Sequence, residues 1–504
     1  MSTSSTISDT YWYTFLFIVG TASIAVEIAG LRFLAPLFGS SLPVWGLAIA
    51  AVLAGLAWGY TRGGQLAGQG NALALVFRQA AWGSTIFLWM PAVFALAIWL
   101  RDISFAQASV VYIIPAFLLP YGILLVSSVT FGMVNPLAVQ AEADRRNQPA
   151  GQVAGRISAL TTTGSLAGIL IPSFITIPLL GSHITVWLFA GVALALSAGP
   201  LVKERTQLVR MLSLAAIAIL VTLAMRSYNE NILFAKETRH QYVTVHQQDN
   251  TRTLIFDASL GIQSVFTPDL YTDGYWDYMA SLPALLPETD IEVSVLALGA
   301  AASTTERQMQ RFWQDTRIFK FTSVELDSEL FDIADAYFDP PERQTVTADA
   351  RIFTASSANT YDIIAVDTYA REVTIPFHLA TTQFFAQLAD RLADHGVIAV
   401  NINATSADTL WVRSLARTLH EQFPHVRLVH VPQSCNYLLL ASHISLPTDA
   451  LAAPAPVIPL LPALRNAIPP RTDGLLLTDD RSPTDLLGFA AFIRPMSTFS
   501  CDRV

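Results

Sequence analysis

The sequence predicts a polytopic α-helical membrane domain followed by an α/β domain with an open parallel sheet. Nearly continuous apolar runs, each about 20 residues long as a spanning helix requires, recur between residues 11 and 225. Hydrophobic residues make up 52% of the 504 residues and charged residues only 14%, against about 25% charged in ordinary soluble chains. The rest of the chain has soluble composition, and its apolar strands end in small or acidic residues, which is typical of parallel α/β sheets.

Seven apolar segments are candidates for spanning helices. They lie at about 12–37, 43–61, 81–100, 108–138, 157–180, 182–202 and 207–225. The fourth is long enough to be kinked at Pro115 and Pro120, or to form two shorter pieces. Glycine pairs such as Gly55 and Gly59 share one helix face, so we expect a neighbouring helix to approach closely there.

Glu27 lies well inside the first apolar segment, where a carboxylate is energetically costly. We therefore expect its side chain to face the bundle interior or a wet cavity. Two interpretations are equally open: a site for a cation or an amine, or a structural hydrogen bond between helices.

The stretch from Ser294 to Asp367 organises the second half of the chain. Its first strand runs into the small-residue turn 299–304, its second ends near Glu325, and its third ends at Asp367. Ligands bind outside the carboxyl ends of such strands. A turn without bulky side chains lets the backbone approach a ligand, and a carboxylate at the next strand tip can accept from both hydroxyls of a ribose. The sequence therefore predicts a nucleoside pocket at this edge of the sheet.

A small β-hairpin subdomain is expected ahead of this sheet, because residues 241–246 alternate like a strand and Asp249-Asn250 makes a turn before a second strand. We predict four regions along the chain. They are residues 1–226, a transmembrane domain of about seven helices; 227–285, a linker and the small β subdomain; 286–446, the nucleoside-binding α/β domain; and 447–504, a Pro/Ala-rich C-terminal extension.

Residues from about 240 to 445 resemble the spermidine synthase (aminopropyltransferase) family, which has a methyltransferase-like (Rossmann-type) fold. The pieces that carry the resemblance occur in the family's order. They are Gly261-Ile262-Gln263-Ser264, Tyr275 with Met279, Leu298-Gly299, Val324-Glu325-Leu326-Asp327, Asp349, and Tyr361 to Asp367. The whole chain resembles the fused branch of that family, in which a polytopic membrane region precedes the synthase domain. Ile375 to Leu379 and Leu477 to Pro483 are similar to segments of that branch.

The resemblance implies a transferase of polyamine biosynthesis. Its donor would be decarboxylated S-adenosylmethionine, or S-adenosylmethionine itself, its acceptor an amine such as putrescine, and its by-product 5′-methylthioadenosine. Asp367 would be the acid that orients and helps to deprotonate the attacking amine, since a protonated amine cannot attack carbon. Tyr275 would act beside it. No metal is expected.

The resemblance also implies four residues that bind the donor. Gln263 would line the site for the nucleoside and the amine, and Gly299 would begin the turn beside the donor. Glu325 would hold the ribose hydroxyls. Asp349 would lie beside the adenine, where an Asp side chain and a backbone amide can bind the amino group and a ring nitrogen.

Two positions depart from the family's pattern. The family's Gly-Gly-Gly-Asp-Gly-Gly turn reads Gly-Ala-Ala-Ala-Ser-Thr here, so the Asp that anchors the donor's amine falls on Ala302. The second acid of the family's Asp-x-x-Asp segment falls on Ala370. Each lost charge-assisted hydrogen bond should cost about 1.5–3 kcal/mol. The candidates that could compensate are Glu372, Asp273 and Asp277.

Two alternatives to aminopropyl transfer therefore stay open. One is an enzyme with the same pocket that uses another acceptor or cyclises the donor, which the missing carboxylates favour. The other is a transporter or sensor whose synthase domain only binds its ligand, which Glu27 and the loop charges favour. The net charge of −9 argues against nucleic acid as a partner and leaves the lipid bilayer and a small amine. A homodimer is one option for the oligomeric state, which the sequence does not fix.

The basic residues fall in alternate loops of the membrane half. The second, fourth and sixth loops carry Arg62, Arg78, Arg145, Arg146, Arg156, Lys203, Arg205 and Arg210, whereas the first, third and fifth carry only Arg101. The positive-inside rule then puts the even loops and the N-terminus in the cytoplasm, and seven spans would put the α/β domain outside. An S-adenosyl nucleotide is expected inside, so we expect an integral cell (inner) membrane protein with a cytoplasmic α/β domain, a placement that the charges oppose. The two cysteines lie far apart and predict no disulfide framework.

Overall fold

The computed structural model describes residues 7–38, 42–106, 110–226, 231–257, 261–369, 375–432, 434–447 and 451–492. The chain divides into two compact units, Met1–Glu230 and Asn231–Val504. Each unit has its own hydrophobic core, and each is described by itself.

The first unit is entirely helical in its described residues. Its helices are α1 (Asp9–Phe38), α2 (Leu42–Ala67), α3 (Ala72–Leu88), α4 (Met90–Ala106), α5 (Val110–Arg146), α6 (Ala150–Ile171), α7 (Ile177–Ala198) and α8 (Arg205–Arg226). Six segments are long and apolar enough to cross a membrane, judged by length and composition alone. They are Asp9–Leu34, Val44–Ala67, Ala72–Arg101, Ile114–Arg146, Ala150–Val202 and Arg205–Ala224.

The sequence predicted about seven such segments, and the difference lies in Ala150–Val202. This stretch of 53 residues contains both the fifth and the sixth predicted segments, because helical hydrogen bonding continues with little interruption between them. A π-helical turn at Pro172–Thr176 follows α6, and Gly181 inside α7 has φ 81° and ψ 166°, which is not helical. By contrast, α5 is one helix of 37 residues despite three internal prolines.

Glycines set the close helix contacts of this unit, as predicted for Gly55 and Gly59. A Cβ built on Gly59 would lie 2.3 Å from the carbonyl oxygen of Val129 in α5, and one on Gly164 would lie 2.3 Å from the carbonyl oxygen of Phe17 in α1. No side chain fits at such distances, so the two backbones touch directly.

Large apolar side chains point outward from the helices. Examples are Trp58, Leu118, Phe174, Leu179 and Leu220, each at least 60% exposed. Such a surface would be unfavourable in water, whereas a lipid environment covers it.

The second unit begins with a four-stranded antiparallel sheet, in the order β1 (Ile232–Glu237), β2 (Tyr242–Gln248), β3 (Thr251–Phe256) and β4 (Ile262–Phe266). The predicted hairpin is β2–β3, with Asp249 in a left-handed conformation (φ 53°) at its turn. The small subdomain is thus larger than the single hairpin that the sequence predicted. Strands β1 and β4 were missed because their alternation is short.

The main sheet has seven strands in the order β10-β11-β9-β8-β5-β6-β7. The strands are β5 (Glu292–Leu298), β6 (Ile318–Glu325), β7 (Arg343–Thr347), β8 (Tyr361–Val366), β9 (Leu392–Asn403), β10 (His425–His430) and β11 (Asn436–Ser442). Neighbours from β7 to β9 are parallel, whereas β11 is antiparallel to β9 and β10. This is a Rossmann-type, methyltransferase-like sheet. Its strand order reverses between β5 and β8, where such folds bind ligands.

Eight helices accompany the sheet in the described residues. They are α9 (Tyr275–Ala280), α10 (Thr304–Trp313), α11 (Glu329–Tyr337), α12 (Ala350–Ser356), α13 (Thr382–Ala389), α14 (Leu410–His420), α15 (Leu461–Arg465) and α16 (Thr484–Phe492). Cys435, between β10 and β11, is disulfide-bonded, contrary to the expectation from cysteine spacing. Cys501 lies outside the described residues.

Candidate functional site

Gly299 lies where the ends of β5, β6 and β8 meet, at the point where the strand order reverses. Its φ is +78°, which favours glycine, and a Cβ there would lie 2.3 Å from the carbonyl oxygen of Asp367. The N–H of Gly299 donates to the carbonyl oxygen of Val324 at 3.0 Å. Only glycine therefore allows β5, β6 and β8 to end this close together.

The turn after Gly299 has strained backbone angles and is held by hydrogen bonds to side chains. Ala301 and Ser303 have left-handed φ angles of 46° and 60°, which cost about 1–2 kcal/mol per residue for L-amino acids other than glycine. The N–H of Ala301 donates to Glu325 Oε2 at 3.0 Å, and the N–H of Ala302 donates to Ser264 Oγ at 3.0 Å. These bonds fix the backbone that faces the predicted nucleoside.

Glu325, at the end of β6, is half-buried. Its carboxylate accepts from the N–H of Ala301 and from the N–H of Leu326 at 3.2 Å. Burial raises the pKa of Glu325 to about 7; the two amides lower that pKa, while the charges of Asp327 and Asp367 raise it further. The side chain thus lies at the predicted strand tip and changes its charge near neutral pH.

Asp367 follows β8, and its carboxylate is held by two donors. The Tyr275 hydroxyl donates to Oδ2 at 2.6 Å, and Asn401 Nδ2 donates to Oδ1 at 2.9 Å. Burial raises the pKa of Asp367, and the hydrogen bonds from Asn401 and Tyr275 oppose that rise. Burial and the Asp367 charge raise the pKa of Tyr275 well above its usual value, so Tyr275 stays a hydrogen-bond donor.

Asn401, in β9, was not predicted from the sequence. Its Oδ1 accepts from Asn436 Nδ2 at 2.9 Å, and the Tyr369 hydroxyl donates to its carbonyl oxygen at 3.2 Å. An amide at the end of an otherwise apolar strand was the available signal. The network shows that Asp367 is positioned from two sides, by α9 and by β9.

A small cleft opens at these strand ends. Three predicted site residues line it: Gln263, Gly299 and Asp367. Gln263 makes a long 3.4 Å hydrogen bond to the carbonyl oxygen of Gly261. Tyr275 and Glu325 do not line the cleft. Tyr275 donates to Asp367, which does, and Glu325 accepts from Ala301, next to the lining residue Ala300.

Asp349 follows β7, the strand next to β6, and begins α12. Its carboxylate accepts from the N–H groups of Arg351 and Ile352 at 2.9 and 3.2 Å, and the His378 ring nitrogen Nε2 lies 3.0 Å from its Oδ2. Burial raises the pKa of Asp349, but the hydrogen bonds from His378 and the amides outweigh it, and that pKa lies below its usual value. Asp349 is therefore ionised, and it lies outside the cleft lining.

Residues 375–379 and 477–483, the two segments that resemble the fused branch of the family, lie close together next to Asp349. Arg351 binds both carboxylate oxygens of Asp479 at 2.7 and 2.6 Å, and it also donates to the carbonyl oxygen of His378 at 3.1 Å. The Thr381 hydroxyl donates to Asp479 at 2.8 Å. These contacts join 375–379 and 477–483 at one edge of the sheet.

Asp277, one of the acids expected to compensate for Ala302, does not line the cleft. Asp277 is 2% exposed and accepts from Thr272, from the N–H of Asp273 and from Gln308 at 2.9–3.1 Å. Through these hydrogen bonds Asp277 joins residues 272–273 to α10. Glu372 and Ala370 lie outside the described residues.

Glu306 is the acid that the sequence reasoning missed. It lies in the first turn of α10, is 1% exposed, and lines the cleft. Among the described residues, no three His, Cys, Asp or Glu side chains form a group that could hold a metal ion.

The sequence is spermidine synthase-like. It is 33% identical over 181 residues to a probable polyamine aminopropyl transferase of Bifidobacterium longum (strain NCC 2705), a match that covers 36% of this chain and 39% of that protein. The chain thus matches less than half the length of this relative. No protein-family model matches the chain.

Solved structures give weaker similarities. A probable spermidine synthase from Corynebacterium glutamicum ATCC 13032 is 17% identical with a TM-score of 0.37, covering 51% of this chain and 93% of that chain. Spermidine synthase from Thermotoga maritima is 19% identical with a TM-score of 0.34, covering 42% and 73%.

Proposed function

We propose that this spermidine synthase-like chain is a membrane-anchored aminopropyltransferase-like enzyme. Its donor is decarboxylated S-adenosylmethionine, its acceptor an amine such as putrescine, and its nucleoside product 5′-methylthioadenosine. The identity to a probable polyamine aminopropyl transferase supports the reaction class. The observation that carries the proposal is the half-buried Asp367 carboxylate, which lines the cleft and accepts a hydrogen bond from Tyr275.

The reaction needs a carboxylate at this place. An alkylamine is protonated near neutral pH, since its pKa is about 10, and its ammonium form has no lone pair. After losing one proton, the nitrogen bonds to the methylene carbon next to the sulfonium. The carbon–sulfur bond breaks, its electron pair stays on sulfur, and a neutral thioether leaves. Asp367 is the group in the cleft that holds the amine and accepts its proton.

The raised pKa of Asp367 suits this role, because it makes the carboxylate a better proton acceptor than an exposed Asp. Tyr275 and Asn401 hold the carboxylate in one orientation. The sulfonium is already a good leaving group, so this positioning supplies most of the remaining catalysis.

The donor's nucleoside would lie along the carboxyl ends of β5, β6 and β7. In this proposal Glu325 accepts from the two ribose hydroxyls, Gly299 lets the backbone approach, and Gln263 lines the sulfonium side. Asp349 binds the adenine amino group. Since its carboxylate already contacts His378 at 3.0 Å, the imidazole would form one wall of the adenine site.

A second candidate is favoured by Ala302. This residue is 1% exposed and its N–H is bound to Ser264, so no carboxylate anchors the donor's amine at this position. An enzyme with the same donor but another acceptor, or one that cyclises the donor, would need no such anchor. The first unit serves as the anchor in the cell (inner) membrane under either candidate.

Purified full-length protein incubated with each S-adenosyl donor, with and without putrescine, tests the proposal. Aminopropyl transfer predicts 5′-methylthioadenosine from the decarboxylated donor only when the amine is present. Release without an acceptor would favour cyclisation. Binding without any turnover would overturn the enzyme assignment and favour a sensor or transporter with a binding-only domain.

A further inference from the structure

Glu306 is an unusual group for its surroundings. Carboxylates are almost never fully buried unless they are paired, yet Glu306 is 1% exposed and lines the same cleft as Asp367. Its Oε1 accepts a hydrogen bond from the Ser323 hydroxyl at 2.8 Å, and its own backbone N–H and the Ser303 hydroxyl also act on the carboxylate. All three donors are neutral groups, and neutral donors do not fully offset a buried negative charge.

In the part of the chain that the structure describes, no basic side chain is ion-paired with Glu306. Arg343 acts on it through space, but its guanidinium is already paired with Asp335 at 2.9 Å. Burial raises the pKa of Glu306, whereas the hydrogen bonds from its own backbone N–H, from Ser323 and from Ser303 and the charge of Arg343 oppose the rise. A cation in the cleft would favour the ionised form.

We infer that Glu306 binds a positively charged group of the ligand and replaces the carboxylate that Ala302 lacks. This inference rests on the proposed function and deepens it. Decarboxylated S-adenosylmethionine carries two positive charges, a sulfonium and a primary ammonium. In the proposed function Asp367 holds the acceptor amine. Glu306, four residues beyond Ala302 in the chain, is then the other carboxylate of the cleft lining and can bind a positive charge of the donor.

A purely structural role is the competing explanation, because the Ser323 hydrogen bond ties α10 to β6. Glu306→Gln separates the two roles: glutamine keeps an acceptor for Ser323 and removes only the charge. Ser323→Ala is the matched control, since it removes the hydrogen bond and keeps the charge.

The measurement is the Kd of the purified full chain for two compounds, decarboxylated S-adenosylmethionine and neutral 5′-methylthioadenosine. We expect Glu306→Gln to weaken the cationic donor about tenfold or more and to leave the neutral nucleoside within about twofold. Ser323→Ala should not discriminate between the compounds. If Glu306→Gln changes both Kd values equally, or neither, the inference is overturned alone. If the parent protein binds neither compound, the nucleoside site is overturned with it.

A second inference concerns the side of the membrane and rests on different contacts. The start of α1 and the end of α5 lie at one end of the bundle, here called the arginine end, because Arg145 and Arg146 bind Asp9 at 2.5 and 2.6 Å. Tyr11 donates to the carbonyl oxygen of Leu196 in α7. The end of α7 therefore lies at the arginine end too.

The stretch 150–202 passes through the bundle twice. In α6, Gly164 meets Phe17 and Gly168 meets Thr21 of α1, so α6 runs in the same direction as α1, away from the arginine end. The His183 ring at the start of α7 lies 4.7 Å from that of Phe33, near the other end of α1. Since α7 then returns to the arginine end, the chain reverses near Gly181.

The other helices complete seven passages. Phe77 in α3 lies 4.4 Å from Phe15, and Phe94 in α4 lies 5.4 Å from Phe33, so α3 and α4 make one passage away from the arginine end. Helix α2 runs alongside α5 in the same direction, towards the arginine end, through its glycine contacts. Helix α8 follows α7 and packs against both α3 and α4. It therefore leaves the bundle at the end opposite the arginine end.

Basic residues near the arginine end are Arg62, Arg78, Arg145, Arg146, Arg156, Lys203, Arg205 and Arg210, and those near the opposite end are Arg32, Arg101 and Arg226.

By the positive-inside rule, we propose that the arginine end faces the cytoplasm and that the chain leaves α8 on the other side of the membrane.

Reporter fusions to the full chain in intact cells test the placement independently of activity. Green fluorescent protein at the N-terminus should fluoresce, and alkaline phosphatase after Val504 should be active. An inactive phosphatase at the C-terminus, with normal amounts of the fusion protein, would overturn the proposal.

Discussion

The hydroxyl of Tyr275 lies 2.6 Å from Oδ2 of Asp367, although 91 residues separate them in the sequence. The contact joins α9, which follows the small sheet, to the tip of β8 in the main sheet. It holds Asp367, which lines the cleft, by a hydrogen bond from a residue outside the lining. Four predictions concern this contact and the residues near it.

Tyr275→Phe should shift the pH dependence of turnover. The Tyr275 hydrogen bond lowers the pKa of Asp367, so its loss raises that pKa, and more of the carboxyl is protonated at a given pH. The acidic limb of the kcat profile should therefore move to higher pH, while the donor KM changes little. A pH–rate profile measures the shift; an unchanged profile would show that the hydroxyl does not act on Asp367 during turnover.

Asp367→Asn should abolish most turnover and keep nucleoside binding. Asparagine is similar in shape but cannot accept the amine's proton, and general bases contribute about 10²–10⁴-fold. We expect a loss in kcat of that order, with the Kd for 5′-methylthioadenosine within a few-fold. Equal losses in turnover and in nucleoside binding would instead indicate a collapsed site.

Glu325 should make stability depend on pH. Its pKa in the folded protein is about 7, raised from 4.5, so the folded state binds more protons than the unfolded state between these values. Its contribution to stability is fully present below pH 4.5 and is lost as pH rises through 7. Glu325→Gln should remove this component and raise the unfolding temperature at pH 8 relative to the parent protein. A variant that is less stable at pH 8 would contradict the assigned cause.

Gly299→Ala should destabilise the α/β unit. The added Cβ would lie 2.3 Å from the Asp367 carbonyl oxygen at a φ of +78°, which demands a backbone shift. We expect a loss of about 1–3 kcal/mol and a lower unfolding temperature. Ala300→Gly, one residue further on, is the control and should cost less. Equal effects of the two variants would argue that the close approach at Gly299 is not required.

Much of the sheet edge could be predicted because its signals are local in sequence. Gly299, Glu325 and Asp367 each end an apolar strand, and strands of a parallel sheet bring their ends together. Asn401 could not be placed in this way. Its contact with Asp367 depends on β9 lying beside β8, and the sequence of a single strand does not determine which strands lie next to it. The roles of these residues stay predictions until they are tested.

Glu306 escaped prediction for a different reason. In the sequence it is an ordinary acid in the first turn of a helix, where acids are common because they favour the positive end of the helix dipole. Only the fold shows that this helix face is buried against β6. The apolar segments of the membrane half were predicted in the same local way. Two of the seven form one continuous segment, Ala150–Val202, because α6 and α7 join with little loss of helical hydrogen bonding.

The binding of 5′-methylthioadenosine by Glu325→Ala, compared with the parent protein at pH 8, tests the central claim most directly. A carboxylate that accepts from both ribose hydroxyls should contribute about 1.5–3 kcal/mol, so the Kd should rise by about tenfold or more. A variant that binds this nucleoside as tightly as the parent protein would contradict the proposed nucleoside site and the aminopropyl transfer that depends on it.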